Sequence, residues 1–377
     1  MVSFTQDAAS ELMYPLMPLF ITGVLAAPPI VLGIVEGAAE VTAGISKYFA
    51  GKASDRIGSK TLITTGYGLA GVGKLFVASA FFWPMVLFGR VVDRIGKGIR
   101  SAPRDALITK SVAPSHYARA FGFHRSADTF GAVLGPILAL IGLATLNNDV
   151  RAVMWWAVIP AMLSVIISLF IQDNKPAPQQ LTELNRSGKL PRNFWTAAIP
   201  FIVFSLTNIP DTMLLLRLSQ IGTSMTHVVL AYIGFNLVYT LAAYPAGIIA
   251  DRLSAYTVYA IGLLAFAATY ITISRLTAPS GWMYVAVALY GFFPALTDGI
   301  GKAIISHTVP KTMHGRAQGV YQSLSGGSIL IAGVWAGLIW SQGSGNGSLP
   351  MMIAGVLAAV SGLVLLLMRS YRPLEQH

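Results

Sequence analysis

Between Arg90 and Asp105 the chain reads RVVDRIGKGIRSAPRD, with seven charged residues among sixteen. The run follows FFWPMVLF without a polar break. On a helix turning about 100° per residue, Arg90, Asp93, Arg94, Lys97, Arg100, Arg104 and Asp105 share a sector about 140° wide. Val91, Val92, Ile95 and Ile99 occupy the other side. Intramembrane charge faces a bundle interior or a watery cavity. The stretch is therefore expected to be a spanning helix with one wet face. Arg90, Asp93, Arg94 and Lys97 lie toward mid-depth, where each either contacts a substrate or belongs to a satisfied ion pair. Arg104 and Asp105, at the helix end, are expected to form a gate network with Asp55 and Arg56.

Glu36 and Glu40 are i,i+4 on one helix, with Lys47 on the same face within about 40°. Desolvation and a neighbouring like charge both favour a protonated carboxylic acid. One of the two is thus expected to hold a proton and release it when wetted, Glu40 being the better placed. The alternative is permanent pairing with Arg90, Arg94 or Lys74. His124, Asp128, Gly131 and Gly135 share another face. Asp128 either titrates or pairs with His124, and Gly131, Gly135 and Pro136 are expected at an interface on which two halves rock. Asp211, after the break Asn208-Ile209-Pro210, is a candidate substrate contact. Asp298 is another, unless it simply pairs with Lys302 at i+4.

These residues need helices to hold them in a membrane. The chain has 377 residues, of which 54% are hydrophobic and only 11% charged, too few for a water-soluble surface. Cysteine is absent, which excludes disulfides and thiolate metal sites. Apolar runs long enough to span predict twelve helices, at roughly 8–27, 29–50, 60–81, 83–103, 119–145, 151–172, 194–216, 225–249, 256–277, 280–304, 316–341 and 348–369. Lys and Arg gather on one side of that arrangement. Lys47, Lys52, Arg56, Lys60, Arg100, Arg104, Lys110 and Arg119 lie there, as do Arg252, Lys302, Lys311, Arg316, Arg369 and Arg372. The other side holds Arg151, Arg217 and Arg275. The rule that basic loops stay inside predicts cytoplasmic N- and C-termini. It also explains the net charge of +11 without a nucleic-acid partner.

Three segments recur 196 to 197 residues later. VAPSHYARAFGF (112–123) answers TVPKTMHGRAQGV (308–320), DALITKSV (105–112) answers KAIISHTV (302–309), and GKASDRIGS (51–59) answers GIIADRLSA (247–255). Two six-helix halves in parallel relation are expected, 1–172 and 194–377, joined by a polar linker at 173–193.

GKASDRIGSK, with Gly51, Asp55, Arg56, Gly58 and Lys60, resembles the loop motif of the major facilitator superfamily. LFGRVVDRIGKG resembles its fourth-span motif at Arg90 and Gly96, with Asp93-Arg94 in place of the usual Gln-Gly. GAVLGP (131–136) resembles the fifth-span motif of its antiporters. The resemblance covers the whole chain. It implies an all-α membrane protein with two parallel-related six-helix bundles around a central cavity, working by alternating access. No Gly-x-x-x-x-Gly-Lys-Ser/Thr loop occurs, so an ion gradient is the expected energy source.

The resulting expectation is a secondary active transporter, not an enzyme, performing proton-coupled efflux of a small molecule. The alternative is proton-coupled uptake or export of a small anionic solute or metal chelate. A receptor or scaffold has no use for the buried charge. No cofactor and no metal are expected. The partners are substrate, protons and the bilayer of a bacterial inner membrane, and the chain is expected to act as a monomer.

Overall fold

The computed structural model describes residues 1–57, 59–111, 117–171, 190–310 and 313–369, and among these every regular element is helical. Twelve rods correspond to the twelve apolar runs. We number them α1 (Val2–Met13, continuing through short turns to Val24), α2 (Pro29–Ile57), α3 (Ser59–Ala78), α4 (Trp83–Ser111), α5 (Tyr117–Thr145) and α6 (Val150–Leu169). The second set is α7 (Arg192–Ser205 and Asp211–Gln220), α8 (Met225–Arg252), α9 (Ala255–Arg275), α10 (Gly281–Tyr290 and Phe292–His307), α11 (His314–Leu338) and α12 (Ser348–Arg369). Seven helices among the described residues are long and apolar enough to cross a membrane by composition alone.

The packing repeats with the sequence. In the first six helices α1 packs on α5, α2 on α4, α3 on α4 and α3 on α6. Raising each number by six gives α7 on α11, α8 on α10, α9 on α10 and α9 on α12, and all four pairs are present. The bundles meet along α2 against α11 and α5 against α8, two contacts that the same operation exchanges. The result is two parallel-related six-helix bundles around a central cavity.

α1 begins at Val2, six residues before the predicted start at residue 8. Its first turns are polar, but Gln6 is buried and its Oε1 accepts a hydrogen bond from Ser164 Oγ of α6 at 2.8 Å. A buried polar group with a partner is tolerated where hydropathy alone forbids it. Pro15 and Pro18 then withhold backbone donors, and the helix passes through a tight turn at Tyr14–Leu16 and a wide one at Phe20–Val24.

α7 breaks at Asn208-Ile209-Pro210, as the sequence predicts. Freed carbonyls at membrane depth need partners. Trp335 Nε1 donates to Leu206 O at 2.9 Å, and Tyr270 Oη donates to Ile209 O at 3.0 Å. Beyond the break, buried Arg217 donates to Leu276 O (2.5 Å), Ser274 O (3.3 Å) and Asn346 O (3.1 Å), tying α7, α9 and the loop before α12 together.

The seam between α2 and α11 is backbone on backbone. A Cβ on Gly333 would stand 2.7 Å from Gly33 Cα, and one on Gly326 would stand 2.9 Å from the Glu40 carbonyl. Small residues permit such approach, and nothing larger fits.

Candidate functional site in the central cavity

Two adjoining chambers lie between the bundles. The wider, about 320 Å³, is lined by Glu40, Lys47 and Lys97 from one bundle and by Asn208, Asp298 and Lys302 from the other. The second, about 250 Å³, shares Glu40, Asn208 and Asp298 and adds Tyr14, Glu36, Asp211 and Tyr290.

The charged face of α4 divides by angle. Arg90 and Arg94 point to α2. Arg90 Nη2 donates to Glu36 Oε2 at 2.5 Å, with both side chains buried. Arg94 Nη2 lies 3.8 Å from Glu40 Oε1. Asp93 and Arg100, at one edge of the sector, turn to α3 instead. Asp93 accepts from Lys74 Nζ at 2.8 Å, and Arg100 lies over the Tyr67 ring at 4.5 Å. Lys97 lines the cavity. Arg104 Nη1 donates to Ser3 Oγ of α1 at 3.2 Å.

The single wet face expected for α4 is therefore corrected. Asp93 is buried against Lys74, and Arg90 and Arg94 stand behind the cavity wall, paired with its carboxylates. Among the six residues predicted to line the cavity, Lys97, Asp211 and Asp298 do so. The physical reason is that α4 packs against both α2 and α3, so a broad polar sector meets two neighbours.

The two α2 carboxylates differ. Glu36 is 4% exposed and held by Arg90, whereas Glu40, one turn on, is 46% exposed in the cavity. Asp211 begins the second segment of α7, and its Oδ1 accepts from Tyr290 Oη at 2.5 Å. Tyr239 Oη donates to Asp298 Oδ2 at 3.4 Å.

Polar ties also join the bundles. Lys47 Nζ donates to Gln322 Oε1 of α11 at 2.9 Å. Tyr232 Oη of α8 donates to Glu11 Oε2 of α1 at 2.6 Å. Its ring stacks on Tyr14 at 5.5 Å, and Arg90 lies 5.9 Å from the Tyr14 ring centroid. A continuous path thus runs from Glu36 through Arg90, Tyr14 and Tyr232 to Glu11.

Gly131 and Gly135 are also corrected. A Cβ on Gly131 would stand 2.7 Å from Phe4 O, and one on Gly135 would stand 2.6 Å from Ala8 O. They seat α5 on α1 inside one bundle, and Pro136 is buried in the same helix. Asp128, one turn earlier, lies within electrostatic reach of Asp7 on α1 and lines neither chamber. The side chains of Asp55, Arg56, Asp105 and His124, and with them the gate network expected from the sequence, lie outside the described residues.

Tyr232, Tyr290 and Gln322 are cavity or bridging groups that the sequence does not single out. An aromatic inside an apolar run looks like core, and a single glutamine carries no periodic signal.

Twelve rods in two repeated bundles around a charged chamber define a polytopic membrane carrier. The family model described as Major Facilitator Superfamily matches residues 1–216 and 196–377, and the chain belongs to that superfamily. An uncharacterised MFS-type transporter of Methanocaldococcus jannaschii is 28% identical over 97% of this chain and 92% of its own length. A hexuronate transporter of Bacillus subtilis is 26% identical over 91% of this chain and 86% of its own. The solved nucleoside transporter NupG shares the fold, with a TM-score of 0.77 over 98% of each chain at 13% identity.

Proposed function

We propose that the protein is a proton-coupled secondary transporter of a small polar solute, with Glu40 as the residue that exchanges the proton. The observation that carries this is the contrast within α2. Glu36, at the wall of the smaller chamber, is 4% exposed and held tightly by Arg90, but Glu40 is 46% exposed and only loosely held by Arg94 at 3.8 Å. A carboxylate whose counter-ion is at the edge of contact changes its proton occupancy when cargo or a helix shift moves that counter-ion. Alternating access is the superfamily's mode of transport. In it residues 1–172 and 194–377 rock as two units joined by 173–193, the termini are cytoplasmic, and a single chain is the working unit.

The cavity lining favours a polar, charged cargo over an apolar drug. Five charged side chains, Lys47, Lys97, Lys302, Glu40 and Asp298, line the wider chamber beside Phe204, Tyr259, Phe293, Tyr321 and Ile329, and a large apolar cargo would strip those charges of water without replacing it. The hexuronate relative supports a cargo bearing an anionic group. The antiporter-like GAVLGP segment supports export in exchange for protons.

Proteoliposomes loaded with a pH-sensitive dye test the reading. A panel of sugar acids, amino acids, ω-amino acids and lipophilic cations is applied with and without a pH gradient. At least one polar member is expected to drive proton flux. Glu40→Gln, a permanent mimic of the acid, is expected to abolish gradient-driven accumulation while leaving binding intact. Accumulation at the wild-type rate in Glu40→Gln would rule Glu40 out, leaving Glu36 and then Asp128 as candidates.

A further inference from the structure

Three lysines converge on the wider chamber from both bundles, Lys47 on α2, Lys97 on α4 and Lys302 on α10. Lys47 lies within electrostatic reach of the other two. The carboxylates lining the same chamber are Glu40, which has Arg94 beside it, and Asp298, which accepts from Tyr239. Asp7 also lies within reach of Lys97, and Arg100 reaches it in turn. Around this chamber the described cations therefore outnumber the carboxylates, however the pairs are shared out. Like charges gathered in a cleft concentrate counter-ions from solution.

The second bundle adds an aromatic wall. Phe204 of α7, Tyr259 of α9, Phe293 of α10 and Tyr321 of α11 line the chamber, whereas the first bundle contributes no ring to it. Buried rings fix them from behind. The centroid of Phe201 stands 4.3 Å from that of Tyr259 and 6.4 Å from that of Tyr321. Phe266 stands 5.6 Å from Phe204 and 5.0 Å from Phe293. Phe201 and Phe266 are themselves fully buried, so the wall presents rings in set orientations.

We propose that the cargo is a small aromatic anion, a single ring bearing a carboxylate, held with its ring against this wall and its charge among Lys47, Lys97 and Lys302. The assignment rests on the cavity being the cargo site, as set out above, and names the class of polar solute it takes. A chamber of about 320 Å³ lies at the lower end of the range for small-molecule pockets, about 300–1,000 Å³, and suits one ring rather than several. Ring against ring gains an offset or edge contact that an aliphatic acid lacks. An organic cation meets the lysines as a like charge, and an uncharged arene gives them no counter-ion.

The test is thermal stabilisation of the purified full chain in detergent by benzoate and 4-hydroxybenzoate. Cyclohexanecarboxylate keeps the charge without the flat ring, benzamide keeps the ring without the charge, benzylamine reverses the charge, and glucuronate is the sugar-acid control. The aromatic acids are expected to bind about two- to tenfold more tightly than cyclohexanecarboxylate, and benzamide and benzylamine to give no shift. Lys97 and Lys302 are exposed to the cavity, so their substitution leaves the packing alone. Lys97→Gln and Lys302→Gln are each expected to weaken benzoate binding by about tenfold, and Lys302→Arg to retain it. Tyr321→Leu is expected to reduce the preference over cyclohexanecarboxylate while keeping the dependence on charge. Equal stabilisation by cyclohexanecarboxylate, benzamide or glucuronate, none by either aromatic acid, or a benzoate shift unchanged in both lysine variants overturns the assignment. Binding needs no gradient, so the two readings fail separately. If a sugar acid drives Glu40-dependent proton flux while no aromatic acid binds, the coupling stands and the aromatic cargo falls. If aromatic acids bind as expected but neither they nor any other solute moves protons, the coupling falls instead.

Discussion

Glu36 and Glu40 occupy successive turns of one helix and both reach the smaller chamber, yet the first is buried against Arg90 and the second is 46% exposed. Removing one member of a buried ion pair costs about 3–5 kcal/mol, whereas replacing both by apolar groups is often neutral. Arg90→Ala is therefore expected to lower the melting temperature sharply, and Arg90→Met with Glu36→Leu to restore it without restoring transport. The pair Lys74–Asp93 faces α3 and no chamber. Lys74→Met with Asp93→Leu is accordingly expected to recover both stability and flux, measured by thermal melts and proteoliposome uptake. Flux lost in that stable double variant would put Asp93 in the transport machinery. The charges themselves are legible in the sequence, because a charge inside an apolar run stands out. Their partners are not, since helical angle says which side a residue takes but not which neighbour lies there. Asp93 and Arg90 differ by only about 60° and serve different helices.

At the scale of the helix, apolar length locates all twelve rods, and Pro210 marks the break in α7. The polar start of α1 escapes a hydropathy count because the partner of Gln6 Oε1 is Ser164, far away in sequence. Glycine spacing suggests a rocking interface in α5, whereas Gly131 and Gly135 bind α1 and the glycine contact between bundles is α2 on α11. Spacing shows that a close approach exists but not which helix makes it. Gly333→Val is expected to force α2 and α11 apart, costing about 1–3 kcal/mol by overpacking and reducing turnover. At Gly327 an added Cβ would meet nothing within 4 Å, so alanine there is expected to change neither measurement appreciably.

For the whole molecule, Lys47–Gln322 and Tyr232–Glu11 are polar ties between the bundles among the described residues. Tyr232→Phe keeps the stack on Tyr14 but removes the donor to Glu11. An unsatisfied buried acceptor costs about 1–3 kcal/mol, a burden specific to this arrangement of the bundles. The population is expected to shift away from it. The chain has no cysteine, so a single Ser325→Cys at the cavity wall reports that shift through its reaction rate with a polar thiol reagent. The rate is expected to fall in the Tyr232→Phe background, and an unchanged rate would show that the tie does not set the equilibrium.

The seam of α2 and α11 has a mechanical consequence. Helices that interlock through side chains must lift ridges out of grooves before one rolls over the other. Where Gly33 faces Gly333 there are no ridges to lift, and the contact behaves as a plain bearing with little friction against rotation. The Arg217 clamp stiffens one end of the second bundle, so that end turns as a plate rather than helix by helix. A smooth axle beside a stiff plate lets a small torque at the cavity, such as the arrival of one charge, swing the two bodies as wholes.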